Sequence, residues 1–109
     1  MQRVTLGAML DPASVRLTFD GELVYWRGPS PFHFIAVPPD GAELLHVVAP
    51  VATYGWGVIP VTVTLGGTTF RTSLFPKDGG YLVPVKDAVR RAERLELGDT
   101  VHVDLTIRT

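Results

Sequence analysis

Several basic side chains in the second half of this chain have the types and spacing to bind an anion. Arg71 and Ser73 share one face of an alternating segment, and Lys77 follows in the next turn. Such a cluster, with the backbone N–H groups of Gly79 and Gly80, can hold a carboxylate or a phosphate. The alternative is an exposed strand face beside a solvated turn. If protein covers both faces of the sheet, Arg71 instead needs a carboxylate partner.

A tryptophan between two glycines provides a second candidate element. Trp56 lies between Gly55 and Gly57, so its loop can move and the indole can line an apolar cleft or stack on a base. The alternative is a loop residue that plugs one end of a barrel. Together with Lys86, these residues predict a cleft for a small anionic molecule, lined by Trp56, Arg71, Ser73, Lys77 and Lys86.

The basic residues near the C-terminus define an alternative, nucleic-acid-binding surface. It would consist of Lys86, Arg90, Arg91 and Arg94 on one helix face. Asp87 and Glu93 dilute this charge, and no aromatic residue is interleaved, as in an ordinary solvated helix face. The chain carries 10 basic and 11 acidic residues, with a formal net charge of -1. This balance argues against a protein that holds nucleic acid mainly by bulk charge.

Catalytic and metal-binding patterns are weak in this sequence. His33, His46 and His102 fall on different elements without metal-ligand spacing, and the absence of cysteine excludes disulfides and thiolate sites. We therefore predict no metal, no cofactor and no catalytic residues. Ser73 and Lys77 resemble a serine–lysine pair, but their spacing across a strand end does not bring them together. A small enzyme acting on an anionic substrate, with Lys86 or Tyr81 as the acid–base group, is a third hypothesis.

The elements that must position these residues are mainly β-strands. Val, Ile and Thr account for 29 of 109 residues, and 46% of the chain is apolar, which excludes a disordered chain. Two glycines between alternating segments predict a tight hairpin at Gly66-Gly67. Gly21 predicts a bulge or bend in the first strand. Pro50 predicts an early end to a short helix that includes Ala42, Leu44, Leu45 and Val48. Pro84 predicts the start of a second, longer helix. The predicted strands are residues 15–19 resuming at 23–26, then 32–37, 58–65, 68–75, 81–83 and 100–107.

Two features concern the organisation of the whole chain. No apolar segment reaches the roughly 18 residues that span a membrane, and the N-terminus does not resemble a signal peptide, so we expect a cytoplasmic protein. We expect residues 15–109 to form one β-barrel domain, with residues 1–14 an extension that is either an extra strand or partly disordered. A strand–Pro–helix–strand pattern occurs twice, at Ile35–Pro38 and at Leu82–Val85, which leaves an internal duplication open.

Motifs along most of the chain resemble one bacterial family. They are Trp26-Arg27-Gly28-Pro29 with Phe32–Pro38, Gly55-Trp56-Gly57 before Pro60–Val63, Arg71–Pro76, Gly79-Gly80-Tyr81, Lys86 with Arg90, and Gly98-Asp99 with Val101. The family is domain of unknown function 1905 (DUF1905). The resemblance implies a double-split β-barrel of about six to seven strands capped by one or two short helices. It brings no catalytic or ligand-binding residues with it.

A weaker similarity to the swapped-hairpin DNA-binding regulators of the AbrB and MazE type is carried by Val83-Pro84, Val89-Arg90, Leu95, Leu97-Gly98-Asp99 and Val101. Those proteins build the barrel from two chains, whereas this family resembles both halves joined in one. The binding surfaces of those regulators are basic, and this chain is net acidic. Our first hypothesis is therefore a non-catalytic domain that binds a small molecule or a protein partner, as a monomer or homodimer. The alternative is a DNA-binding regulator or antitoxin-like protein, by fold analogy alone.

Overall fold

The structure, a computed structural model, describes residues 4–6, 14–29, 31–52 and 58–108. Their fold is mainly β, as predicted, with seven strands and two short helices. In chain order the elements are β1 (Val4–Leu6), β2 (Ser14–Trp26), β3 (Phe32–Ala36), α1 (Pro39–Ala52), β4 (Ile59–Leu65), β5 (Thr68–Lys77), β6 (Gly80–Val85), α2 (Asp87–Ala92) and β7 (Thr100–Arg108).

Six of the strands close into an antiparallel barrel. The order around the barrel is β2-β3-β6-β5-β4-β7, and β7 returns to pair with β2. The long strand β2 makes this closure possible, because its first half pairs with β7 and its second half pairs with β3. The short strand β1 pairs with the first half of β2 on the side away from β7. The predicted β-barrel is therefore confirmed.

The barrel interior is filled by the inward side chains of the alternating strands. In β4 every second residue from Ile59 to Leu65 is buried, and the residues between them are half-buried. Phe19 from β2 and Leu45 from α1 belong to the same core, so α1 closes part of the barrel with an apolar side chain. All fully buried side chains among the described residues are apolar. Sheet alternation thus separates the interior from the outer face.

The barrel repeats one arrangement of elements twice. The first half is β2-β3-α1-β4 and the second is β5-β6-α2-β7. The strand pairings repeat in the same way. The β2–β3 pair of the first half corresponds to the β5–β6 pair of the second half, and the β4–β5 pair corresponds to the β7–β2 pair. The remaining two pairs, β3–β6 and β4–β7, each join a strand to its equivalent in the other half. Ile35 and Val83 are equivalent positions that pair directly, and each lies four residues before the start of its helix. An approximate twofold axis therefore passes between them. When the two halves are aligned in this way, Trp26 of β2 is equivalent to Lys77 of β5.

Of the two alternatives predicted at Gly21, a bulge or a bend, the bulge is wrong. The β2–β7 register continues without interruption through Asp20, Gly21 and Glu22. A Cβ atom at Gly21 would lie 2.5 Å from the Ile35 Cγ2 and 3.3 Å from the Ala36 carbonyl oxygen. Glycine is needed here because β3 packs closely against this point of β2.

Both helices differ from their predicted bounds. α1 starts at Pro39, three residues before the predicted helix residue Ala42, and continues through Pro50 to Ala52. Pro50 lies in the last turn, where its missing N–H removes a single hydrogen bond. Pro84 does not open a helix: it lies in β6, paired with Phe34, and α2 begins only after Lys86. Closure of the barrel extends β6, because the segment that pairs with β3 includes residues that have a helical pattern in the sequence.

The two hairpin turns after β4 and β5 are short. Gly66 and Gly67 form the predicted turn, with Gly66 at a φ of 57°. The second turn is shorter than predicted, because β5 continues through Pro76 and Lys77 and only Asp78 and Gly79 form the turn. Both of these residues have positive φ, 51° and 79°. Lys77 therefore lies at the end of a paired strand.

Candidate functional site

The outer surface of the barrel has one polar side and one apolar side. On the β2–β7–β4–β5 side, outward positions carry threonines and charged residues that pair across strands. Arg16 donates two hydrogen bonds to Asp104, at 3.0 and 2.5 Å, and this carboxylate raises the pKa of the Arg16 guanidinium above its usual value. His102 Nδ1 lies 2.7 Å from Asp20 Oδ1. This side is an ordinary solvated sheet face.

The β2–β3–β6–β5 side carries apolar residues at outward positions. Strand pairing aligns them in rows: Trp26 with Phe32, Phe34 with Pro84, and Phe75 and Ala36 with Leu82. Leu82 is buried, at 7% exposure, but does not belong to the core cluster inside the barrel. Its side chain is therefore covered from the outside, by its neighbours on this face.

These outward residues form a groove of about 420 Å³, which we call the outer-face groove. It is lined by Trp26, Phe32, Phe75, Pro76, Lys77 and Leu82. Phe32 is the central ring: its centroid lies 5.8 Å from that of Trp26, 5.6 Å from that of Phe34 and 6.4 Å from that of Phe75. The groove is open to solvent, and Phe75 is 44% exposed.

The groove lies where the two halves of the barrel meet. Lys77 Nζ lies 3.6 Å from the centroid of the Trp26 ring, within cation–π distance. Because these residues occupy equivalent positions, their contact crosses the approximate twofold axis. β3 and β6 separate β2 from β5 in the sheet, so this contact means that the sheet is concave on its outer side here. The twist of a small barrel produces such curvature.

A glycine next to the groove fixes the tryptophan ring. A Cβ atom at Gly28 would overlap the Trp26 indole, around Nε1. The turn after β2 therefore folds back against the edge of the ring, and any larger residue at this position would displace it. The indole is held in place on one edge by this turn and on one face by Lys77.

The structure places the sequence-predicted cleft residues at separate points. Lys77 is in the outer-face groove. Arg71 and Ser73 are on the same outer face of β5, about 20 Å and about 13 Å before Lys77 at the usual rise per residue. Lys86 is exposed at the start of α2. Trp56 lies outside the described residues, so the predicted cleft stays a prediction.

The predicted nucleic-acid surface also stays a prediction. Arg90 approaches Asp87 at 3.7 Å, and its Nε is buried without a hydrogen-bond partner. Arg91 is exposed, and Arg94 follows the helix at a φ of 52°. Lys86, the fourth residue of this surface, precedes the helix and makes no capping hydrogen bond with its side chain.

Residues considered for catalysis or metal binding have structural contacts. Tyr81 is buried at 5% exposure, and its ring lies 5.3 Å from that of His46. His46 in turn hydrogen-bonds through Nε2 to the Gly79 carbonyl oxygen, at 2.9 Å. His33 lies beside the Tyr25 ring and 3.8 Å from Asp87. Within the described ranges, no three His, Asp or Glu side chains come close enough to hold a metal ion.

Sequence reasoning missed most of the outer-face groove. The available signal was the alternation itself: Trp26 falls on the same strand face as Arg16, and Phe75 on the same face as Arg71. Aromatic residues at outward positions of neighbouring strands can form an exposed apolar patch. The alternation does not predict which of these aromatic side chains contact each other.

Comparison with known proteins agrees with the motif resemblance. A model of the family described as domain of unknown function (DUF1905) matches residues 19–105, a span that contains all the barrel strands in whole or in part. Curated proteins give no match to this chain. In the part of the chain that the structure describes, no helix has the length and apolar character to cross a membrane. The chain belongs to the DUF1905 family.

Proposed function

We propose that this chain is a non-catalytic binding domain that takes a small molecule with a flat, apolar body into the outer-face groove. The observation that carries this proposal is the cluster of aromatic rings on an outward sheet face. Small-molecule sites are concave, have volumes of about 300–1,000 Å³ and are lined mainly by apolar and aromatic side chains with few polar groups. The groove, at about 420 Å³ with one charged residue in its lining, fits this description.

Burial of exposed aromatic surface provides the driving force. Phe75 is 44% exposed, and the rings of Trp26 and Phe32 form the wall beside it. Covering apolar surface contributes about 25 cal/mol per Å² removed from water. Aromatic rings additionally favour other rings in offset or edge-to-face geometry. A flat, apolar ligand therefore gains most at this position.

The groove is already organised before a ligand arrives. The Trp26 indole is fixed by Gly28 and Lys77, and Phe32 packs against three other rings. Groups that are already ordered lose little conformational entropy on binding, which favours affinity. The concave shape also favours a small molecule over a flat protein surface.

The test uses the neutral compound naphthalene-2-carboxamide and isothermal titration calorimetry. We expect saturable binding, weakened about tenfold or more by Phe75→Ala because the ring loses its stacking and apolar contact. Leu97→Ala is the matched control, since Leu97 is 58% exposed and does not line the groove. Equal affinity in both variants would refute the assignment of the site.

A second readout locates the ligand. The indole N–H signal of Trp26 in the NMR spectrum, distinguished from that of Trp56 by Trp56→Phe, should shift on titration. Gly28→Ala should displace the indole and weaken binding, because its Cβ overlaps the ring. A shift confined to Trp56 would move the site away from the outer-face groove.

A further inference from the structure

We infer that the ligand of the outer-face groove is an aromatic anion of the carboxylate class, whose charged group is bound by Lys77. This inference rests on the proposed function, since it names the chemical class of the molecule that occupies the same groove. It is carried by the position and the unpaired charge of Lys77. Of the six lining residues, Lys77 alone carries a charge.

Lys77 makes no ion pair in the part of the chain that the structure describes. Its ammonium contacts the Trp26 ring, and no carboxylate oxygen lies within 4.0 Å of it. Asp78 follows directly in the turn, yet its carboxylate is not paired with Lys77. By contrast, Arg16 and Arg90 each approach a carboxylate. The rim of the groove thus holds a positive charge with hydrogen-bond donors left for a ligand.

The cation–π contact decides the sign of the ligand charge. An aromatic surface can attract a cation, but Lys77 Nζ already occupies the face of Trp26 at 3.6 Å. A cationic ligand would meet like charge at this point. An anion would pair with the ammonium while its ring extends over Phe32 and Phe75.

The backbone around Lys77 is fixed by strand pairing and by a contact with α1. Lys77 pairs with Gly80 at the end of the β5–β6 hairpin. The turn between them is attached to α1 by the hydrogen bond between His46 Nε2 and the Gly79 carbonyl oxygen. The ring of His46 also lies beside that of Tyr81 on β6. The backbone of Lys77 is therefore positioned by the barrel before binding.

The experiment compares two probes of the same shape and different charge, naphthalene-2-carboxylate and naphthalene-2-carboxamide, at neutral pH. We expect the carboxylate to bind about tenfold more tightly, as for a hydrogen bond to a charged group. The difference should shrink as salt is added, because the pair is at the surface. Lys77→Met should abolish the difference between the two probes, because it removes the ammonium that pairs with the carboxylate.

Lys86→Met is the matched control, because it removes the same charge from an exposed lysine outside the groove lining. Lys77→Arg should retain the preference for the carboxylate, since a guanidinium also pairs with carboxylates. Thermal unfolding of each variant establishes that it is folded. In the unmodified protein, the salt dependence tests the same point without substitution.

The outcomes separate the two proposals. If neither probe binds, the proposed function fails and the inference fails with it. If both probes bind equally and Lys77→Met changes neither affinity, the groove binds flat apolar molecules and only the inference is overturned. Equal loss of the carboxylate preference in Lys77→Met and Lys86→Met would also overturn it, because the effect would then be one of overall charge.

Discussion

A carboxylate from the segment after α2 holds the β4–β5 hairpin turn, and this contact supports a quantitative prediction. Glu93 Oε2 accepts a hydrogen bond of 2.5 Å from the Thr68 hydroxyl, and Oε1 accepts one of 3.3 Å from the Gly67 N–H. Gly66 lies beside them with a φ of 57°, and a Cβ atom there would overlap Glu93 Oε1. Gly66→Ala should therefore act in part by displacing Glu93.

The magnitudes follow from these contacts. Glu93→Ala removes hydrogen bonds to a charged group, and we expect a loss of about 2 kcal/mol in the free energy of unfolding. Gly66→Ala should lower the free energy of unfolding by about 3 kcal/mol in total. About 1 kcal/mol of this loss comes from a left-handed backbone at a residue with Cβ, and the rest comes from displacement of the Glu93 carboxylate. Because Glu93 is then lost in both cases, the double variant should also lose about 3 kcal/mol, rather than about 5.

Urea unfolding followed by tryptophan emission measures these free energies. Gly79→Ala is the matched control, because Gly79 also has positive φ, 79°, but a Cβ atom there meets nothing within 4 Å. It should cost about 1 kcal/mol and add fully to Glu93→Ala. Additive losses for Gly66→Ala and Glu93→Ala would refute the reasoning, as would a Glu93→Ala variant as stable as the starting protein.

Two further predictions concern packing, and both are measured by the same unfolding assay. Gly21→Ala should cost about 1–3 kcal/mol, because the new Cβ would lie 2.5 Å from Ile35 Cγ2, whereas Gly80→Ala, with its nearest contact at 3.7 Å, should be close to neutral; similar losses would contradict the tight β2–β3 approach. Leu74→Ala should cost about 2–5 kcal/mol by leaving a cavity inside the barrel, and Leu97→Ala less than about 0.5 kcal/mol, since Leu74 is fully buried and Leu97 is 58% exposed. A small loss at Leu74 would mean that the barrel interior repacks.

Much of the fold could be predicted from local patterns. The strand from Ile59 to Leu65 alternates buried and half-buried residues, and the same alternation is visible as Val and Leu separated by Thr. The Gly66-Gly67 turn was predictable because a tight hairpin turn requires positive φ. Period-two alternation is a local property, and the barrel interior confirms it.

Predictions that used a Gly or a Pro as the local signal for a bulge or for the start of a helix were less accurate. Gly21 does not mark a bulge, and Pro84 does not open a helix. In both places the pairing of distant strands decides the backbone conformation: β3 packs against Gly21, and it also pairs with Pro84 of β6. A local sequence pattern cannot indicate a steric restriction that a distant strand imposes.

For the candidate site, the sequence by itself determined which residues face outward, and the tertiary structure decided which of them meet. Alternation alone puts Trp26 and Phe75 on outward faces. That Trp26 contacts Lys77 follows from closure of the barrel, from the twofold arrangement that makes them equivalent, and from the curvature of the sheet between them. Strand pairing and twist are collective properties of the sheet, so neither the contact nor the groove exists in any one segment of the chain.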